Sequence, residues 1–153
     1  MGIGPDRHGE RISFETVDDA IEQSHRALRQ IINRDHNGFV ELFSERDDIS
    51  LGNPFGPFAT GRERVVSTLA DAAARYRNGE VVGFDLIARH ATEALACVVE
   101  VERYRAKVGS SDLDSTIALR VTSVFRLEDG GWRLVHRHAD PITTPQGSEP
   151  ILT

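Results

Sequence analysis

Two short stretches of this chain carry side chains of the types and spacing that proton chemistry needs. The first places Glu100, Glu102 and Tyr104 at every second position. The second places His136 and His138 two apart, with Asp140 following. Alternate residues of a strand share a face, so each set presents its polar groups on one side. Ala94, Ala96 and Val98 run in phase with the glutamates, which puts the carboxylates at the end of an otherwise apolar surface. A carboxylate there has a raised pKa unless it is paired, because desolvation disfavours the charge. Arg120, His136 and His138 are the available partners. The chemistry implied is general acid/base catalysis, with Glu102 or His138 carrying the proton. The plainer alternative is a structural ion pair on the open or dimer face of a sheet. His-x-His with Asp140 or Glu102 also forms a bare set of two histidines and a carboxylate. No further spaced ligand accompanies it, so neither a metal site nor a cofactor is expected.

A third group sits in the run Gly52-Asn53-Pro54-Phe55-Gly56-Pro57-Phe58. Its helix and strand breakers mark a loop. Asn53, Phe55 and Phe58 would form the mouth or lid of a pocket there, or a rigid turn closing the core.

These groups need a framework. Alternating runs at residues 81–91, 94–107, 115–128 and 132–139 read as four antiparallel strands. Glu128-Asp129-Gly130-Gly131 joins the last two, and Asp-Gly between alternating runs is a strong hairpin signal. On the third run Ile117, Leu119, Val121, Phe125 and Leu127 face one way, while Thr116, Arg120, Thr122 and Arg126 face the other. On the fourth, an unbroken period of two groups Trp132 and Leu134 with His136 and His138 and points Arg133 and Arg137 away. A single bulge would reverse this, turning both histidines outward and bringing Arg137 in. Arg103, Arg105, Arg120, Arg126, Arg133 and Arg137 together suggest an outward, cationic face for a second copy of the chain.

Upstream, Val17, Ala20, Ile21, Ser24, Ala27, Leu28 and Ile31 recur at helical spacing. They predict a helix over 13–34 that Ser13 caps, with acid in its first turns. A short helix is expected over 38–44, a short strand over 47–51, and a third helix over 61–76 that Thr60 caps and Asn78-Gly79 ends. Residues 1–12 read as a loose arm, 13–141 as one domain and 142–153 as a tail. Helices followed by strands make an α+β pattern, with helices on one face of a sheet and a hollow for a small ligand between the layers.

The chain has 153 residues and a net charge of −6, which argues against nucleic acid as a partner. One cysteine, Cys97, leaves no internal disulfide and fits a reducing compartment. No run approaches a membrane span and no signal-peptide core is evident. A cytoplasmic protein is expected.

The stretch TSVFRLEDGGWRLVHRHAD, residues 122–140, resembles the SnoaL-like branch of the nuclear-transport-factor-two-like superfamily, and the order of elements from about 16 to 141 is similar too. That superfamily includes ketosteroid isomerases, polyketide cyclases and a kinase association domain. The resemblance implies a cone: a curved antiparallel sheet wrapped around three N-terminal helices, a cystatin-like α+β roll. It also implies a small hydrophobic or carbonyl-bearing ligand and a homodimer formed through the sheet face. Asn53 stands where the isomerases place their general-base aspartate, and an amide does not accept a proton at neutral pH. Glu102 stands where the association domain has a carboxylate-binding arginine. The reading is a small-molecule-binding protein, and if an enzyme then a cofactor-independent isomerase or cyclase. His138 and Glu102 would be its catalytic pair, with Asn53, Phe55, Phe58, Tyr104, Arg120, His136 and Asp140 around the ligand. A non-catalytic association module is the alternative.

Overall fold

The computed structural model describes residues 12–153. The arm expected over 1–12 therefore lies, but for Ile12, outside the described residues. Helix α1 spans Val17–Ile31. Its cap is Thr16 and not Ser13: the Thr16 hydroxyl accepts from the Asp19 amide while the Asp19 carboxylate accepts from the Thr16 amide, a reciprocal capping box. Helix α2 is Asn37–Leu42. Helix α3 is Arg62–Ala73, and its N-cap is Gly61, without a side-chain cap of its own. Asp47 supplies the missing acceptor, taking the Arg62 amide at 2.8 Å.

Six strands follow or intervene: β1 Ser50–Gly52, β2 Ala59–Thr60, β3 Tyr76–Ala91, β4 Leu95–Val108, β5 Ser115–Glu128 and β6 Gly131–Asp140. They form one sheet in the order β2-β1-β6-β5-β4-β3. The α+β cone stands as expected, but the sheet is mixed, because β1 runs parallel to β6. The β5–β6 turn has Asp129 and Gly130 both at positive φ, 50° and 83°, the conformation that matches strand twist in a two-residue hairpin. Asn78-Gly79 does not end α3. It lies inside β3, at a shift of register between Arg77 and Glu80.

The two faces of the sheet differ in burial. On β4 the inner residues Ala96, Val98, Glu100, Glu102, Tyr104 and Ala106 are buried, while Cys97, Val99 and Val101 between them stay partly exposed and Arg103 and Arg105 are exposed. Helices α1 and α2 cover the inner face, and Leu28, Phe39, Leu42 and the following Phe43 pack into one core with Leu134 of β6. Among the described residues no helix is long and apolar enough to cross a membrane.

Candidate functional site

A one-residue bulge in β6 decides which side chains reach the interior. Val124 pairs with His136, but the next residue, Phe125, pairs with Leu134, leaving Val135 as the extra residue. Everything after it changes face. Leu134 and Ala139 point in, and so does Arg137, which an unbroken strand would have sent out. His136 and His138 turn to the outer face.

Arg137 enters 7% exposed and meets Glu102, 1% exposed. Nη1 and Nη2 each donate to one Glu102 oxygen at 2.8 Å, the two-pronged match of guanidinium to carboxylate. The guanidinium also lies over the Phe39 ring at 4.9 Å. Burial opposes the charge on Arg137, and the Glu102 carboxylate beside it outweighs burial, so its pKa stands above the ordinary value.

Two residues further along β4, the Tyr104 hydroxyl lies 2.7 Å from that of Tyr76, at the start of β3. Burial pushes both hydroxyls up, so both are neutral across the physiological range. Nearer the sheet edge, His25 of α1 sits 3.0 Å from Glu100 and stacks on Phe84 at 3.6 Å.

Between helices and sheet lies a hollow of about 40 Å³, with Tyr76, Tyr104, Arg137, Asn53 and Phe55 in its wall. Asn53 accepts the Phe55 amide at 3.0 Å, a local turn that holds the loop over the hollow. The Phe55 ring meets Tyr76 edge-on at 5.8 Å.

The nominated residues therefore divide. Tyr104, Asn53 and Phe55 meet at the hollow, and Glu102 stands behind them, joined to its wall through Arg137. His136, His138, Arg120, Asp140 and Phe58 gather on the other side of the sheet. There Arg120 holds Asp140 at 2.8 and 2.9 Å, and Phe58, 61% exposed, tilts toward both histidine rings at 6.1 and 5.7 Å. The Arg120 guanidinium keeps the Asp140 carboxyl below the usual carboxylate range. His136 Nδ1 lies 2.7 Å from the Ser50 hydroxyl, and burial, then the neighbouring His138, lowers its pKa. Asn53, Glu102, Arg120 and His138, expected around one ligand, thus do not form one site, and the Glu102–His138 pairing is broken by the sheet between them. The cationic outer face also thins out. Arg103 and Arg105 pair with Asp85 and Glu80, Arg126 with Asp48 and Glu128, and Arg133 donates to the Glu41 carbonyl. Among the described residues no three histidine, cysteine, aspartate or glutamate side chains cluster to hold a metal.

Arg137 enters by the bulge that the period of two leaves open, and two further site residues lie outside the sequence pattern. Tyr76 was absorbed into α3 because the helical period runs up to it. His25 had a signal: it lies four residues after Ile21 and three before Leu28, at the border of the α1 stripe.

What the hollow can do follows from counting protons. Two hydroxyls own two protons, and their mutual hydrogen bond uses one. Neither oxygen makes another hydrogen bond among the described residues. The remaining O–H is a donor for whatever occupies the hollow.

A family model described as a SnoaL-like domain matches residues 17–143. No curated protein gives a match. Among solved structures the chain is similar to a nuclear transport factor 2-like superfamily protein from Salmonella enterica, with TM-score 0.68 and 20% identity over 85% of this chain and 94% of that one. A ketosteroid isomerase-like protein from Erwinia carotovora gives TM-score 0.68 and 13% identity over 84% and 95%. A protein assigned as a calcium/calmodulin-dependent protein kinase type II association domain, from Thiobacillus denitrificans, gives TM-score 0.68 and 17% identity over 86% and 98%. At these identities the likeness is one of fold.

Proposed function

Because the chain belongs to the SnoaL-like domain family, we propose that it binds a small, mostly apolar, carbonyl-bearing molecule between its helices and its sheet. The observation that carries this reading is the Tyr76–Tyr104 pair, with its uncommitted proton at the hollow. A neutral, fixed donor in an apolar setting recognises a carbonyl oxygen and polarises it. Proton abstraction has less support: both Glu102 oxygens are taken by Arg137, and Asn53 is an amide. At about 40 Å³ the hollow as it stands takes a guest the size of water. Small-molecule pockets run to roughly 300 Å³ and more, so binding requires Phe55 to swing away.

The test is a titration with cyclohexanone, and with cyclohexane as control, followed by backbone amide shifts in nuclear magnetic resonance. Either tyrosine alone keeps a donor. The variant that removes it is Tyr76→Phe with Tyr104→Phe, which deletes both partners and so leaves little unpaired in the interior. The ketone should bind the wild type in preference to the alkane, and the double variant should bind it roughly 5- to 10-fold more weakly, the worth of one hydrogen bond. Equal affinity in both proteins sinks the carbonyl reading.

A second reading, self-association, is favoured by the outer face of the sheet. Cys97, Val99, Val101 and Val124 form a partly exposed apolar centre there, flanked by the Arg103–Asp85 and Arg120–Asp140 pairs. A two-fold dimer would cover it. Sedimentation should then give twice the chain mass, and Val99→Arg should return the single-chain mass. A wild type that sediments as one chain ends this reading.

A further inference from the structure

Outside the hollow, between α3 and the loop after β1, lies a larger groove of about 410 Å³. Groove and hollow share Asn53, Phe55 and Ala72 in their walls. Phe55 is the movable part of that partition, since it is an aromatic side chain on a loop and only half-buried. One edge of its ring meets Tyr76 on the hollow side. Over its face, 4.6 Å from the centroid, stands the guanidinium of Arg75.

Arg75 is otherwise uncommitted. Asp71 precedes it by four residues, the spacing of a helical ion pair, yet among the described residues the Arg75 side chain makes no ion pair and no hydrogen bond. The ring takes the place of a carboxylate. Position matters here more than bulk charge, because Glu63 and Asp71 offset Arg64 and Arg75 in the groove wall. The next residue in the chain is Tyr76. One step of backbone therefore places a cation at the groove and a hydroxyl at the hollow, with the Phe55 ring between them.

We propose that Arg75 determines specificity by recognising the carboxylate of the ligand, so that the substrate class is an oxo-carboxylic acid whose two groups lie across a ring-sized apolar body. This rests on the carbonyl-binding reading above. A carboxylate binds guanidinium more strongly than an aromatic face does, so it takes Arg75 from Phe55. The freed ring swings out, groove and hollow join, and the ligand body fills the space that the ring vacates. The carbonyl then reaches the tyrosine pair. The carboxylate alone has no such partner in the hollow, where Glu102 already occupies Arg137.

The probes are 4-oxocyclohexanecarboxylate, its neutral analogue 4-methylcyclohexanone, and cyclohexanecarboxylate. Each is titrated into the wild type and into Arg75→Gln, an exposed position whose fold is checked by circular dichroism. The wild type should prefer the oxo-acid over the neutral ketone by roughly tenfold, the worth of a charge-assisted hydrogen bond. Arg75→Gln should lose that preference and bind the oxo-acid no more tightly than the neutral ketone. Equal binding of oxo-acid and ketone by the wild type overturns the role of Arg75 and leaves the carbonyl reading standing. So does a preference that survives in Arg75→Gln. If neither ketone binds the wild type, or cyclohexanecarboxylate binds as well as the oxo-acid, the carbonyl reading fails and takes this proposal with it.

Discussion

Arg137→Met is expected to lower the free energy of unfolding by about 3–5 kcal/mol, because it leaves Glu102 buried without its cation. For a chain of this size each kcal/mol moves the melting midpoint by about 2–4 °C, so the shift is on the order of 10 °C. Glu102 is 1% exposed and has no other hydrogen-bond partner among the described residues. The loss comes from the stranded charge, not from the missing bond. Adding Glu102→Leu to the first substitution should therefore recover most of it, since an apolar pair of similar size replaces the ions. Urea unfolding of the three proteins measures this. A single variant within about 1 kcal/mol of the wild type, or a double variant no better than the single, contradicts the account.

Gly79→Ala is the second large effect. A Cβ at this position would run into Ile32 Cγ1 and lie 2.6 Å from Ile32 Cβ. Ile32 closes α1 and is fully buried, so it cannot retreat. Nor can β3 slide away freely, because Asn33 ties the Gly79 backbone at both ends. Its carbonyl accepts the Gly79 amide and its amide donates to the Gly79 carbonyl, each at 3.0 Å. Overpacking at such a point costs about 1–3 kcal/mol, and loosening these two bonds adds to it. Gly83→Ala, on the same strand with nothing within 4 Å of its added Cβ, is the control and should be near neutral. Denaturant midpoints for the two variants decide the matter: similar midpoints would mean that β3 gives way at Gly79. The site feels this contact too, since Tyr76 lies three residues away on the same strand.

The fold was largely readable because its longest elements obey a simple period. Strand β5 was expected over 115–128 and spans Ser115–Glu128. The inner face of β4, from Ala96 to Tyr104, alternates without interruption, so Glu102 and Tyr104 fall inside as the pattern says. The site was half readable for a related reason. A bulge adds a residue without changing composition or hydropathy, so nothing at Val135 marks the point where β6 reverses its faces. Its only trace is chemical: an arginine at 137 whose partner, Glu102, lies on another strand. Parallel pairing of β1 with β6 was invisible too, because three residues carry no direction, and two residues of β2 carry no period at all.

That parallel pairing bears on when the ligand mouth is made. Ser50 and His136, which face each other across β1 and β6, are 86 residues apart in the chain. Closing so long a loop directly costs roughly 4 kcal/mol of chain entropy, as (3/2)RT ln n. Once the β3–β6 meander exists, the open span shrinks to that between Gly52 and Tyr76, and the same expression gives roughly 3 kcal/mol. The cheaper order assembles the meander first, hairpin by hairpin, and seats β1 afterwards. Asn53 and Phe55 follow directly on β1, so the entrance to the hollow is tied down last and held by a strand of only three residues.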